Sequence, residues 1–111
     1  MNKGEIFAFL SANPVFNLAT VDGNTPHTRE MMMYRADESG IIFMTGKPKD
    51  LYKQLKANPR VELCFSNAQK DMQVRISGEA KESADVNLKK EIFGAWAFLK
   101  PMVEKLGEDN F

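Results

Sequence analysis

Two stretches of the chain carry side chains whose types and spacing point to anion chemistry. The first is Thr45-Gly46-Lys47-Pro48-Lys49. It joins the end of an apolar run to the start of a helical one, and free N–H groups at a helix N-terminus attract anions. Lys47 and Lys49 stand where Asp or Glu is ordinarily favoured. Cations there oppose the helix dipole unless an anion lies between them. The Thr45 hydroxyl can donate to a phosphate oxygen, and the two lysines serve equally well as solvated surface. The second stretch is Pro26-His27-Thr28-Arg29-Glu30-Met31-Met32-Met33-Tyr34. Arg29 can grip a phosphate bidentately, or pair with Glu30 or Glu62. Three consecutive methionines on a strand must point to both faces. Polarizable Met suits contact with a flat ring, and it equally fills a doubly buried strand.

Other chemistries are poorly supported. His27 is the only histidine and Cys64 the only cysteine, which excludes His-rich and Cys-rich metal sites and any disulfide within the chain. His27 reads as a hydrogen-bonded structural residue and Cys64 as an inert thiol. Trp96, with Phe93 and Phe98, reads as core or dimer interface. There is no GxGxxG and no Walker loop. The remaining tools are backbone groups, a few cations and a borrowed cofactor. The 15 basic and 15 acidic residues cancel, leaving no footprint for duplex nucleic acid. No window approaches the roughly 18 apolar residues of a membrane span. The N-terminal residues carry no secretory cleavage pattern, so a cytoplasmic home is expected.

The elements that must position these residues follow from periodicity and breakers. Residues 2–13 form a helix with Ile6, Phe9 and Leu10 on one face, stopped by Asn13-Pro14. Residues 15–21 and 25–34 are strands joined at Asp22-Gly23-Asn24. Residues 35–40 form a polar turn and 41–45 a third strand. A helix over 49–57 ends at Asn58-Pro59. Strands over 60–66 and 72–82 alternate, with Val61, Leu63, Phe65, Val74 and Ile76 inward. Ser83 caps a helix running to about residue 95, with Leu88, Ile92, Phe93 and Trp96 as its stripe. A further helical turn or two covers 98–106, entered near Pro101. Five strands on short turns predict a closed or nearly closed antiparallel barrel within one domain, residues 1–111. Its free edge needs a cover or a partner.

The ordered set Pro26-His27-Thr28-Arg29, Gly40-Ile41-Ile42-Phe43-Met44-Thr45, a lysine-bearing loop, Asn58-Pro59-Arg60-Val61 and Gln73-Val74-Arg75-Ile76-Ser77-Gly78-Glu79-Ala80 resembles pyridoxamine 5'-phosphate oxidase and its FMN-binding split-barrel relatives. The resemblance covers about residues 14–82. It implies a mainly β, antiparallel split barrel with flanking helices, homodimeric, with FMN at the interface. Carried over residue by residue, it implies Arg29 and Thr45 on the phosphate, Glu30, Met31 and Met32 as strand contacts, Met44 beside Thr45, and Gln73 on the flavin. The oxidases have Ser-Arg-Lys where this chain has Lys49-Asp50-Leu51, so Lys49 with Lys47 must supply the lost cation. Tyr34 stands where the oxidases place a substrate-touching lysine. Their C-terminal Trp and Arg region has no counterpart, nor does the strand that usually follows the last helix. The resemblance therefore implies a flavin-dependent oxidoreductase acting on a small molecule, unlike authentic pyridoxamine phosphate oxidation. The pattern is closer to short members grouped with general stress and nitroimidazole-resistance proteins. The alternatives within the same fold are a non-catalytic flavin or haem carrier or sensor, with His27 as the one available axial ligand, and a deazaflavin enzyme. Outside it stands a cofactor-free structural dimer.

Overall fold

Asn2 starts the first element: its Oδ1 accepts the Glu5 N–H at 2.8 Å, which caps helix α1 (Lys3–Ala12). Asn13 ends it, its backbone N–H bonding the Phe9 and Leu10 carbonyls ahead of Pro14. This is a computed structural model, and it describes residues 1–46, 49–99 and 101.

Strands β1 (Val15–Asp22) and β2 (Thr25–Met32) pair antiparallel with Asp22 opposite Thr25. Gly23 and Asn24 are thus the whole turn. Gly23 has φ +60° and Asn24 does not enter the positive region, the pattern of a type II′ hairpin with glycine first. A side chain at position 23 would meet no atoms but would strain the backbone.

The polar run 35–40, expected as a turn, is a hairpin of its own. Strand β3 (Arg35–Asp37) pairs with β4 (Gly40–Ile42), and the turn narrows to Glu38-Ser39. Asp37 Oδ1 accepts the Ser39 N–H at 2.8 Å, closing it, and the Tyr34 N–H donates to the Ile42 carbonyl at 2.7 Å, setting its register. The third expected strand is correspondingly shorter, because residues 43–45 leave the ladder toward helix α2 (Asp50–Ala57).

Strands β5 (Arg60–Ser66) and β6 (Gln73–Glu79) hold the expected alternation, with Leu63 and Phe65 buried. Helix α3 (Val86–Ala95) is capped by Asp85 rather than Ser83. The Asp85 carboxylate accepts the Asn87 and Leu88 N–H groups at 3.0 and 3.1 Å, and a charged cap is further favoured by the helix dipole. Ser83 instead accepts the Asp85 N–H. A 3₁₀ turn, Ala97–Leu99, follows. Of the helical segment expected over 98–106, residue 100 and those from 102 on lie outside the described residues.

The main sheet has the order β2-β1-β5-β6, antiparallel throughout, with β3-β4 as a separate pair. The molecule is thus a mainly antiparallel β structure with six strands, not five, and three flanking helices among the described residues. No ladder closes the strands into a ring there. One core joins the parts: Leu10, Phe16, Leu18, Met33, Leu51, Leu63 and Phe65. Phe16 stacks on Phe65 at 4.8 Å and takes the edge of Phe43 at 5.8 Å, which draws the end of β4 onto the main sheet. No described helix is long and apolar enough to cross a membrane.

Candidate functional site

Arg29 lies directly opposite Leu18 in the β1–β2 ladder. Directly paired residues share a face, and Leu18 is fully buried, so Arg29 projects from the core side of the sheet. Its neighbours in sequence point the other way. Glu30 sits opposite Asn17, and Glu62 sits opposite Ala19 and Ser77, all on the outer face. That geometry removes both ion-pair partners the sequence offered.

What meets Arg29 is Gln54, from α2. Arg29 Nη2 donates to Gln54 Oε1 at 2.8 Å, and the hydroxyl of Thr20, a residue only 1% exposed, donates to the same oxygen at 3.0 Å. The second terminal nitrogen of the guanidinium, Nη1, is buried and has no partner among the described residues. A buried donor left bare costs about 1–3 kcal/mol, more when charged. Such a group fits an anionic ligand: it offers a free, charge-assisted hydrogen bond beside a neutral amide.

The other sequence candidates are dispersed. Met31 faces the core opposite Phe16, half-buried against it. Met44 and Thr45, half-buried, line an open cleft of about 970 Å³ that also touches Tyr52 and Leu55 of α2. Lys49 is exposed at the α2 N-cap; its side chain caps nothing, and its backbone N–H donates to the Gly46 carbonyl at 3.1 Å. Thr45, Lys49 and the Arg29 partner Gln54 belong to the β4–α2 connection and its helix, but Arg29, Lys49 and Gln54 do not line that cleft. Lys47 lies outside the described residues. Glu30 and Met32 lie on the outer face.

Gln73 stands apart. It opens β6, is exposed, and pairs with Ser66 one step from the inward pair Phe65–Val74, so it too faces outward. Arg29 and Gln73 thus occupy opposite faces of one sheet, on its two edge strands with β1 and β5 between them. A single ligand cannot touch both within one copy of the chain.

Thr20 and Gln54 were not among the sequence candidates. The signal for Thr20 is the inward alternation Phe16, Leu18, Thr20, which puts a hydroxyl on an apolar face where it needs a partner. Gln54 carries no such signal.

A second polar cluster joins β3 to α3. The Tyr34 hydroxyl donates to Glu91 at 2.7 Å, and Arg35 bridges Glu91 and Asp37, both at 3.2 Å. Trp96 sets its ring edge-on to Tyr34 at 5.4 Å and stacks on Phe98 at 5.6 Å. The hydrogen bond to the Glu91 carboxylate raises the Tyr34 pKa, while hydrogen bonds from Ser39 lower that of Asp37. The Glu82 carboxylate raises the pKa of Lys56. The Asp37 contribution to stability is lost as pH falls through its lowered carboxyl value, and that of Lys56 as pH rises through its raised one. The hydrogen bonds of all three groups lie at the protein surface, so these effects are small. No group of three His, Cys, Asp or Glu among the described residues is placed to hold a metal.

Comparison with known proteins places this geometry in a family. The family model of pyridoxamine 5'-phosphate oxidase matches residues 3–109. A pyridoxine/pyridoxamine 5'-phosphate oxidase of Azotobacter vinelandii is 32% identical over 92 residues, 82% of this chain and 40% of that protein. The chain thus spans well under half of that curated relative. Among solved structures, a NimC/NimA family protein from Clostridium acetobutylicum superposes with a TM-score of 0.76 at 28% identity, over 89% of this chain and 70% of that one. A pyridoxamine 5'-phosphate oxidase-related, FMN-binding protein from Nostoc punctiforme shares the fold with a TM-score of 0.63 at 21% identity, over 85% and 55% of the two chains. A core-side arginine, an α2 that reaches it and a split antiparallel sheet sit within a match that runs almost end to end: the chain belongs to the pyridoxamine 5'-phosphate oxidase family.

Proposed function

We propose that this chain binds FMN and, as a homodimer in the cytoplasm, serves as a flavin-dependent oxidoreductase for a small molecule. The observation that carries the reading is the buried, unpartnered Arg29 Nη1. Family membership supports it, and so does a fold shared with an FMN-binding protein. Bound FMN supplies a ring able to take up and release electrons singly or as hydride.

The chain's own residues then have distinct tasks. Arg29 donates to the phosphate, joined by the Thr45 hydroxyl and by the cations Lys49 and Lys47. Glu30, Met31 and Met32 offer strand backbone to the flavin, and Met44 adds a polarizable contact. Gln73 faces away from Arg29 in its own copy, so its contact with the same flavin requires a second copy. That is the structural argument for a dimer. The residues named here hold and orient the flavin; none is assigned as a general acid or base.

The protein as purified, or after reconstitution, should show the visible absorption of an oxidised flavin. A Soret band would replace this reading with haem binding. Binding of deazaflavin in preference to FMN would redirect it, and a colourless protein that takes up no added FMN would end it. Mixed anaerobically with NADH or NADPH, the loaded protein should bleach and then reoxidise on addition of a nitroaromatic. Inertness to both nicotinamides would overturn direct nicotinamide oxidation.

Lys49→Glu should weaken FMN binding by about tenfold at low salt, and less as salt rises, because it replaces a cation by an anion at a solvated helix start. A titration with unchanged affinity would remove the phosphate from that helix end.

A further inference from the structure

We propose that Gln54 is a positioning residue that aims Arg29 at the phosphate and, being uncharged, leaves the guanidinium charge available to it. This rests on the FMN reading above and adds to it a residue from the middle of α2.

Arginine has donors only, so the atom of Gln54 that meets Arg29 Nη2 at 2.8 Å must be the amide oxygen. The Thr20 hydroxyl must then donate to that same oxygen, at 3.0 Å. The oxygen therefore takes two hydrogen bonds, one from each strand of the β1–β2 hairpin. Thr20 is buried and cannot swing away to water. The Gln54 main chain is fixed as well, since its carbonyl accepts the Asn58 N–H at 2.9 Å in the last turn of α2. With Nη2 bonded to an oxygen that Thr20 also anchors, the planar guanidinium loses freedom, and its other end presents Nη1 in a set direction.

The acceptor's charge matters as much as its place. A carboxylate at position 54 would pair with the guanidinium, offer it a second oxygen and repel an incoming phosphate. A neutral amide holds the geometry without quenching the cation. Arg29 has no ion pair among the described residues, so no carboxylate offsets its charge.

The test compares FMN with riboflavin, which has the same ring and no phosphate. Affinities for both are measured by flavin fluorescence in the wild type, Gln54→Glu and Gln54→Ala, with a thermal melt of each. Gln54→Glu is nearly isosteric and should fold normally. It should lower FMN affinity by roughly fiftyfold or more while leaving riboflavin within about twofold, since only the phosphate senses the charge at Arg29. Gln54→Ala, which frees Arg29 without neutralising it, should fall between wild type and Gln54→Glu. A preference for FMN that survives Gln54→Glu would overturn the role assigned to Gln54 alone. Equal losses for both flavins would also overturn it, since that is the result of a purely structural role. A wild type that binds the two flavins equally would overturn the phosphate reading itself, and this inference with it.

Discussion

Arg29→Ala should weaken FMN binding by about a hundredfold and leave riboflavin binding nearly unchanged. A hydrogen bond to a charged group is worth about 1.5–3 kcal/mol, and each 1.4 kcal/mol is roughly tenfold in affinity. Loss of the long-range attraction between the guanidinium and a phosphate dianion puts the expected change near the top of that range. The effect on the unliganded fold should be small, because two consequences oppose each other. The substitution removes a buried donor that has no partner, and it leaves Gln54 Oε1 with only the Thr20 hydroxyl. The unliganded variant should therefore melt within a few degrees of wild type, while added FMN stabilises it far less, as linkage requires. Parallel fluorescence titrations and melts check both halves. An equal loss of FMN and riboflavin would mean that Arg29 organises the fold and not the phosphate.

Phe65→Ala should be the most damaging single change to stability. Phe65 is fully buried on β5, inside the main sheet, and stacks on Phe16 at 4.8 Å. Phe16 in turn holds Phe43, and through it the end of β4 from which Met44 and Thr45 project. Truncation of such a ring costs about 3–5 kcal/mol, a large share of the roughly 5–15 kcal/mol that holds an ordinary domain. A fall of about 10–20 °C in melting temperature follows for a chain of this size, with a matching drop in the urea midpoint. Val86→Ala, at a side chain 57% exposed, should change stability by less than about 0.5 kcal/mol. A Phe65→Ala protein as stable as the Val86→Ala one would refute the proposed core.

Much of the scaffold was legible because its signals are local. Asn13-Pro14 and Asn58-Pro59 stop helices through the restriction proline places on its predecessor. Gly23 supplies the positive φ of the first hairpin, and the alternation over 60–66 names the inward residues of β5 directly. The misses have a common cause. Arg35–Asp37 is polar and three residues long, and it becomes a strand because Tyr34 bonds to Ile42 across the hairpin. Ser83 and Asp85 are both good caps, and which one is used depends on where the chain leaving β6 turns into α3.

The site divides in the same way. Arginine's bidentate fit to phosphate is a residue-type signal, and together with the family resemblance it led to Arg29. Its partner is 25 residues away, and nothing in the local pattern of α2 shows which turn of the helix faces Thr20 and Arg29. Likewise, the separation of Arg29 from Gln73 across the sheet follows only once β1 and β5 are known to lie between their strands.

The most direct test of the account is a crystal structure of the protein grown with FMN. A phosphate oxygen should lie within hydrogen-bonding distance of Arg29 Nη1, with Gln54 still bonded to Nη2. FMN bound with its phosphate elsewhere, and Nη1 still without a partner, would contradict it.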